Sequence, residues 1–223
     1  MKKSKVMLFG AMALTAGLAL AACGSSQSTN ADKTYSYIFV SNPDTLDYIT
    51  STRDSTSSIT TNLIDGLLEN DQYGNLIPSM AESWTVSKDG LTYTYKIRQG
   101  AKWYTSEGEE YADVTAHDFV TGLKYAADKK AENLYLVQDS IKGLADYVEG
   151  RTSDFGTVGV KAVDDYTLQY TLNQPETYWN SKTTASILSP VNEAFLKSKG
   201  DDFGSVTPSS ILSNGPYLFK SFS

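Results

Sequence analysis

The sequence predicts a mixed α/β fold, and three stretches carry that prediction. "SWTVSKDGLTYTYKIR" (83–98) holds two strand-like runs around Asp89-Gly90, a dipeptide whose tolerance of positive φ suits a tight hairpin turn. "VGVKAVDDYTLQYTL" (158–172) repeats the pattern around Asp164-Asp165, with Leu168, Tyr170 and Leu172 alternating onto one face. Between them, "TAHDFVTGLKYAADKK" (115–130) puts Thr115 and Asp118 in capping-box positions. It also sets Phe119, Leu123 and Ala127 along one side of a helix.

The remaining elements follow in chain order. Lys2, Lys3 and Lys5 precede an uncharged run from Val6 to Ala22, the layout of a secretory signal with its positive and apolar regions. That run is shorter than a membrane span requires and is interrupted by Gly10, Thr15 and Gly17. Cys23, the only cysteine among 223 residues, follows Leu20-Ala21-Ala22. The tetrad resembles the bacterial lipobox, in which signal peptidase cuts before a cysteine whose thiol carries diacylglycerol. Two acyl chains anchor a protein stably where one does not. Residues 1–22 are therefore expected to be a lipoprotein signal peptide and Cys23 the lipid-attachment site. The alternatives are an ordinary signal with a cysteine in its cleavage zone, or a membrane helix.

Residues 23–33, with "GSSQSTNADK" after the cysteine, read as a flexible tether. "YSYIFVS" (35–41) is aromatic and β-branched on both faces, as a strand buried on both sides would be, and Pro43 ends it. A loop runs to about Ser55. From Ser58, the residues Ile59, Leu63, Ile64, Leu67 and Leu68 fall at helical spacing, and the turn "NDQYGN" (70–75) leads to Pro78. A further helix is expected at 191–199, with lysines in its last turn and Gly200 as its stop. The final stretch, "NGPYLFKSFS" (214–223), reads as ending at or inside a strand. No internal repeat and no domain-separating linker is visible after residue 34.

Charge and composition narrow the function. Residues 1–22 contain three lysines and no acid, so the remainder carries 16 Lys+Arg against 26 Asp+Glu, a formal charge of −10. Such a surface is repelled by nucleic acid and by anionic head groups, so membrane attachment falls to the lipid. With its one thiol acylated the chain forms no disulfide, and about 190 residues suffice to bury a core without one. His117 is the single histidine, which rules out a cluster of His and Cys metal ligands. No D-x-D-x-D-G calcium loop and no phosphate-binding glycine loop appears. A Ser-His-Asp triad would need His117, which sits in the first turn of the expected helix and reads as a solvated or locally bonded residue. No enzymatic activity, cofactor or metal is expected. The eight Phe, three Trp and fifteen Tyr fit strand faces and core, with a few available to line a groove.

Several segments together resemble the extracytoplasmic solute-binding proteins of oligopeptide and dipeptide ABC importers. They are "TLD" (45–47), "LIDGLLENDQYGNLIPSMAESW" (63–84), "DGLTYTYKIRQGAKW" (89–103), "VTAHDFVTGLKYAAD" (114–128), "GVKAVDDYTLQYTL" (159–172) and "SNGPYLFKS" (213–221). With the lipobox, the chain is most similar to the oligopeptide-binding lipoproteins of Gram-positive bacteria. The resemblance covers residue 35 to the end. It implies the N-terminal lobe of a two-lobed, periplasmic-binding-protein-like clamp with an inserted mixed α/β subdomain. Residues 34–64 and 190–223 would form part of lobe I and 65–189 the inserted subdomain, with the second lobe missing from this chain.

The resemblance further implies an extended peptide held between lobes by strand-like hydrogen bonds, its side chains in roomy, wet pockets. Gapless alignment from Thr45-Leu46-Asp47 to Gly66-Leu67 carries the family's peptide-backbone contacts onto Thr52 and Asp54. A tyrosine after the T-A-x-D-F helix start falls on Tyr135. The competing readings are a plain polar surface turn for "TSTRDSTSS" (50–58) and core packing for Tyr135 within "LYLV". Tyr48 stands where the family usually has proline. The expected protein is a monomeric, lipid-anchored receptor that captures oligopeptides for an ABC permease at the outer face of the membrane, here truncated and impaired. Alternatives are the same fold binding a sugar, haem or metal chelate, and a surface adhesion or peptide-sensing lipoprotein.

Overall fold

A computed structural model describes residues 41–221. Cys23, the tether and the expected strand at 35–41, apart from Ser41, lie outside the described residues. The first helix, α1, spans Asp54–Thr60, with the Asp54 carboxylate in the first turn, where the helix dipole favours it. Periodicity predicts instead a loop to Ser55 and a helix from Ser58 through Leu68. The difference has a tertiary cause. The Leu63 carbonyl accepts hydrogen bonds from Ser213 Oγ (2.6 Å) and from the amides of Asn214 (3.1 Å) and Gly215 (2.9 Å), which takes it out of any helical ladder. Ile59, Leu63, Ile64, Leu67 and Leu68 are all buried, as their spacing implies, but only the first lies on the helix.

Leu68 instead opens a hairpin of β1 (Leu68–Asn70) and β2 (Leu76–Pro78). Its turn is held by Asp71 Oδ1, which accepts the amides of Tyr73 (2.8 Å) and Asn75 (2.9 Å). The hairpin expected at Asp89-Gly90 forms as β3 (Ala81–Val86) and β4 (Thr92–Ile97), with Gly90 at φ +72°. A short pair, β5 (Lys102–Tyr104) and β6 (Glu110–Asp113), precedes α2 (Ala116–Lys129). A 3₁₀ turn at Glu132–Leu136 and α3 (Leu144–Val148) lead to the second expected hairpin, β7 (Val160–Asp164) and β8 (Thr167–Thr171). Then come α4 (Trp179–Lys182) and α5 (Glu193–Lys199).

The two long hairpins join through β4 and β8 into one antiparallel sheet of order β3-β4-β8-β7. Its register sets Tyr93 opposite Tyr170 and Tyr95 opposite Leu168, so one face collects large side chains that are all buried. Trp179 packs against that face, its ring centroid 5.3 Å from that of Tyr170. Two tyrosine hydroxyls fasten α4 there, Tyr93 donating to the Glu176 carbonyl (2.7 Å) and Tyr95 to Asn180 Oδ1 (2.6 Å). Buried Glu176 is ion-paired with Lys182 at 2.9 Å, and Lys182 Nζ also donates to Ser140 Oγ at 2.6 Å.

Helix α2 packs on β7 and β8 and buries Phe119, Leu123 and Ala127, the residues its periodicity selects. Its capping box is present, Asp118 Oδ2 accepting the Thr115 amide at 2.9 Å. At α5, Asn192 Oδ1 accepts the Phe195 amide (3.0 Å), and Lys197, Lys199 and Gly200 end the helix as expected. The end of the chain departs from expectation, because no strand covers 214–221. Ser213 alone pairs with Tyr104 at the edge of β5, and Gly215 then turns against Leu63, where a Cβ would sit 2.9 Å from backbone. The Tyr217 amide donates to the Asn62 carbonyl (3.2 Å) rather than to a strand.

Candidate ligand-binding face

The face begins at Thr45-Leu46-Asp47, which works as a buried anchor. Thr45 Oγ1 donates to the Gly204 carbonyl (2.9 Å), and Leu46 is fully buried. Asp47 Oδ1 accepts the amides of Ile49 and Thr50 (both 3.1 Å). Its Oδ2 accepts Thr50 Oγ1 (2.6 Å) and the Tyr125 hydroxyl of α2 (2.8 Å). Burial, and then the Asp47 carboxylate, push the Tyr125 phenol well above its usual range, so it acts as a donor. Gly204 has φ +72°, and a Cβ there would come within 2.5 Å of the Asp47 amide. Tyr48, in place of a proline, is buried and donates to the Pro190 carbonyl at 2.8 Å.

This anchor presents a short exposed loop. Ser51 Oγ donates to Thr56 Oγ1 (3.0 Å), which itself donates to the Thr45 carbonyl (2.9 Å), closing the loop onto α1. Arg53 is paired with Asp44 at 3.0 Å. Exposed Thr52 donates from Oγ1 to Glu132 Oε2 at 3.1 Å, across 80 residues of sequence. Glu132 opens the 3₁₀ turn that carries Tyr135. The structure thus joins the Thr52 loop to the Tyr135 turn. Asp54 lies two residues beyond Thr52, exposed at the start of α1, so the segment read as a polar surface turn is loop to residue 53 and helix after it.

Tyr135 is 75% exposed, so the reading that packs it in the core is incorrect. In that turn Asn133, Leu134 and Val137 are buried while Glu132 and Tyr135 face solvent. Three residues per turn place i and i+3 on one side, so a tyrosine that follows buried Leu134 can still point outward with Glu132. Glu132, which the sequence reading did not single out, is the residue that joins Thr52 to this turn. The i, i+3 spacing of polar Glu132 and Tyr135 was the available signal.

Other features lie apart from this face. A cleft of about 220 Å³ is lined by Tyr48, Thr60, Asp65, Glu69, Ser79 and Ser189 among others, and contains none of Thr52, Asp54 or Tyr135. Burial, and then Glu69, raise the Asp65 carboxyl above the usual range. His117 Nε2 lies 3.4 Å from Asp165 Oδ1, both side chains more than half exposed, a surface pair on the first turn of α2. Among the described residues no group of three or more His, Cys, Asp or Glu is placed to hold a metal.

Comparison with known proteins identifies the family. The family model for bacterial extracellular solute-binding proteins, family 5 (middle region), matches residues 75–223. The oligopeptide-binding protein AliB of Streptococcus pneumoniae is 66% identical over 218 residues, which is 98% of this chain and 33% of that protein. The oligopeptide-binding protein SarA of Streptococcus gordonii is 63% identical over 229 residues, 99% of this chain and 34% of that protein. The solved structure of Listeria monocytogenes OppA bound to peptide superposes with a TM-score of 0.71 at 32% identity. It covers 78% of this chain and 33% of that one. The chain spans about a third of the length of these relatives. The mixed α/β architecture and the family match agree, and the chain belongs to family 5 of the bacterial extracellular solute-binding proteins.

Proposed function

We propose that this chain serves to capture oligopeptides for an ABC importer, as a non-enzymatic receptor held at the outer face of the cell membrane by a lipid on Cys23. The observation that carries the reading is the meeting of Thr52 with the turn bearing exposed Tyr135, within a chain similar to proteins named for oligopeptide binding. A threonine on a loop held by a buried anchor can accept a hydrogen bond from an extended peptide at its hydroxyl oxygen. An outward tyrosine adds a flat apolar surface with a polar tip at low entropic cost. Thr52, Asp54 and Tyr135 are the contacts we assign.

Residues 34–64 and 190–223 would act together as part of one lobe, with 65–189 as an inserted subdomain. Support comes from the bonds that tie the first two segments: Tyr48 to Pro190, Thr45 to Gly204, and Leu63 to 213–215. The partners would be oligopeptides and the permease subunits, and the receptor would act as a monomer. Purification of the chain from its host, followed by mass spectrometry of eluted ligands, tests the reading. Peptides of mixed sequence are expected. A uniform non-peptide ligand would overturn it.

A further inference from the structure

Glu132 and Tyr135 make a surface with a chemistry of its own. Both are exposed, and their i, i+3 spacing in a 3₁₀ turn sets them on one side. Buried Asn133 and Leu134 pin the turn from behind. Thr52 Oγ1 orients the carboxylate by holding Oε2, and that hydroxyl brings no charge. No lysine or arginine among the described residues pairs with Glu132. The basic residues nearby are committed or set apart: Arg53 to Asp44 at 3.0 Å, Lys129 to Asp201 at 3.8 Å, and Lys130 in the left-handed cap of α2 without an ion pair to Glu132. Among the described residues no ring or cation stacks on Tyr135.

We infer that Glu132 and Tyr135 form a cation-accepting face that favours oligopeptides carrying a lysine or arginine side chain, an inference that rests on the peptide-capture reading above. A cationic head meets the carboxylate while its charge or its alkyl stem lies over the ring. An apolar side chain would desolvate the carboxylate without replacing its hydrogen bonds, and an acidic one would be repelled. The acidic excess of the chain adds steering in the same direction. An exposed ion pair and a cation–π contact together correspond to a preference of about three- to thirty-fold.

The test titrates the full chain with hexapeptides of Gly, Ala and Ser that differ at one position, scanned in turn, between lysine, norleucine and glutamate. Binding is followed by NMR, which reads weak affinities. At the best position the lysine peptide should bind about three- to thirty-fold tighter than norleucine, with glutamate weakest. Glu132→Gln should abolish most of the lysine preference. Tyr135→Phe should keep it, and Tyr135→Leu should reduce it. Both positions are at the surface, so unchanged thermal midpoints accompany the expected result. Equal affinities for the three peptides, or an intact lysine preference in Glu132→Gln, would overturn the inference and leave peptide capture standing. Absence of binding by every peptide would likewise overturn the inference.

Discussion

Trp103 Nε1 donates a 3.0 Å hydrogen bond to Asp118 Oδ2, linking β5 to the first turn of α2 with both side chains buried. The same carboxylate oxygen caps the helix, so one acid serves two elements. Burial dominates its ionisation and pushes the carboxyl from an ordinary 3.8 up to about 6, against the lowering effect of the Thr115 amide and the indole. The folded state therefore binds this proton more tightly than the unfolded chain. The stability it contributes is complete below about pH 4 and is lost as pH rises through about 6, an effect of about 3 kcal/mol. Relative to Asp118→Asn, the parent should lose stability between pH 4.5 and 7.5 in denaturant unfolding. A difference that grows in the parent's favour with rising pH would contradict the assignment.

Gly122 gives a second test, because its helix position and its packing pull in opposite directions. In an exposed helix Gly→Ala gains about 1 kcal/mol. Here a Cβ would press into the Ser189 carbonyl, well inside van der Waals contact. Overpacking of about 2–3 kcal/mol should win, leaving Gly122→Ala less stable by about 1–2 kcal/mol. Thermal unfolding reads the sign directly.

Lys182 neutralises Glu176, which is only 4% exposed. Lys182→Met keeps much of the alkyl volume but leaves that carboxylate buried and uncompensated, with an expected loss of about 3 kcal/mol or more. The double variant Glu176→Gln with Lys182→Met should recover most of it. A coupling near zero in that cycle would show the pair to be dispensable.

Tyr135→Ala separates binding from folding. With the ring exposed, the unfolding midpoint should hold within about 0.5 kcal/mol. Affinity for a bound oligopeptide should fall by about 1–2 kcal/mol through lost packing and one hydrogen bond. Titration of both proteins with one peptide decides it, and equal affinity would remove Tyr135 from the site.

Cys23 is tested in the cell. Cys23→Ser removes the thiol that the lipobox chemistry requires, so the protein should shift from the membrane fraction to the soluble one. Firm retention of the serine variant would place the anchor elsewhere.

The hairpins at Asp89-Gly90 and Asp164-Asp165, the capped helix from Thr115 and the Asn192–Gly200 helix were legible in the sequence for one reason. Each is set by groups within a few residues of one another, such as the turn glycine, the Asp118 cap and the alternation of Leu168 and Tyr170. The family motifs also led to Thr52, Asp54 and Tyr135 as candidates, though not to how they meet. Only the tertiary structure decided that α1 stops at Thr60, that Tyr135 faces out, and that Glu132 joins Thr52. In these cases the deciding partner is remote: Ser213 lies 150 residues from Leu63, and Glu132 80 from Thr52. A carbonyl or carboxylate can satisfy its hydrogen bonds locally or at a distance with similar net energy, about 1 kcal/mol each. Which partner it takes is therefore fixed by where the packed core delivers the rest of the chain.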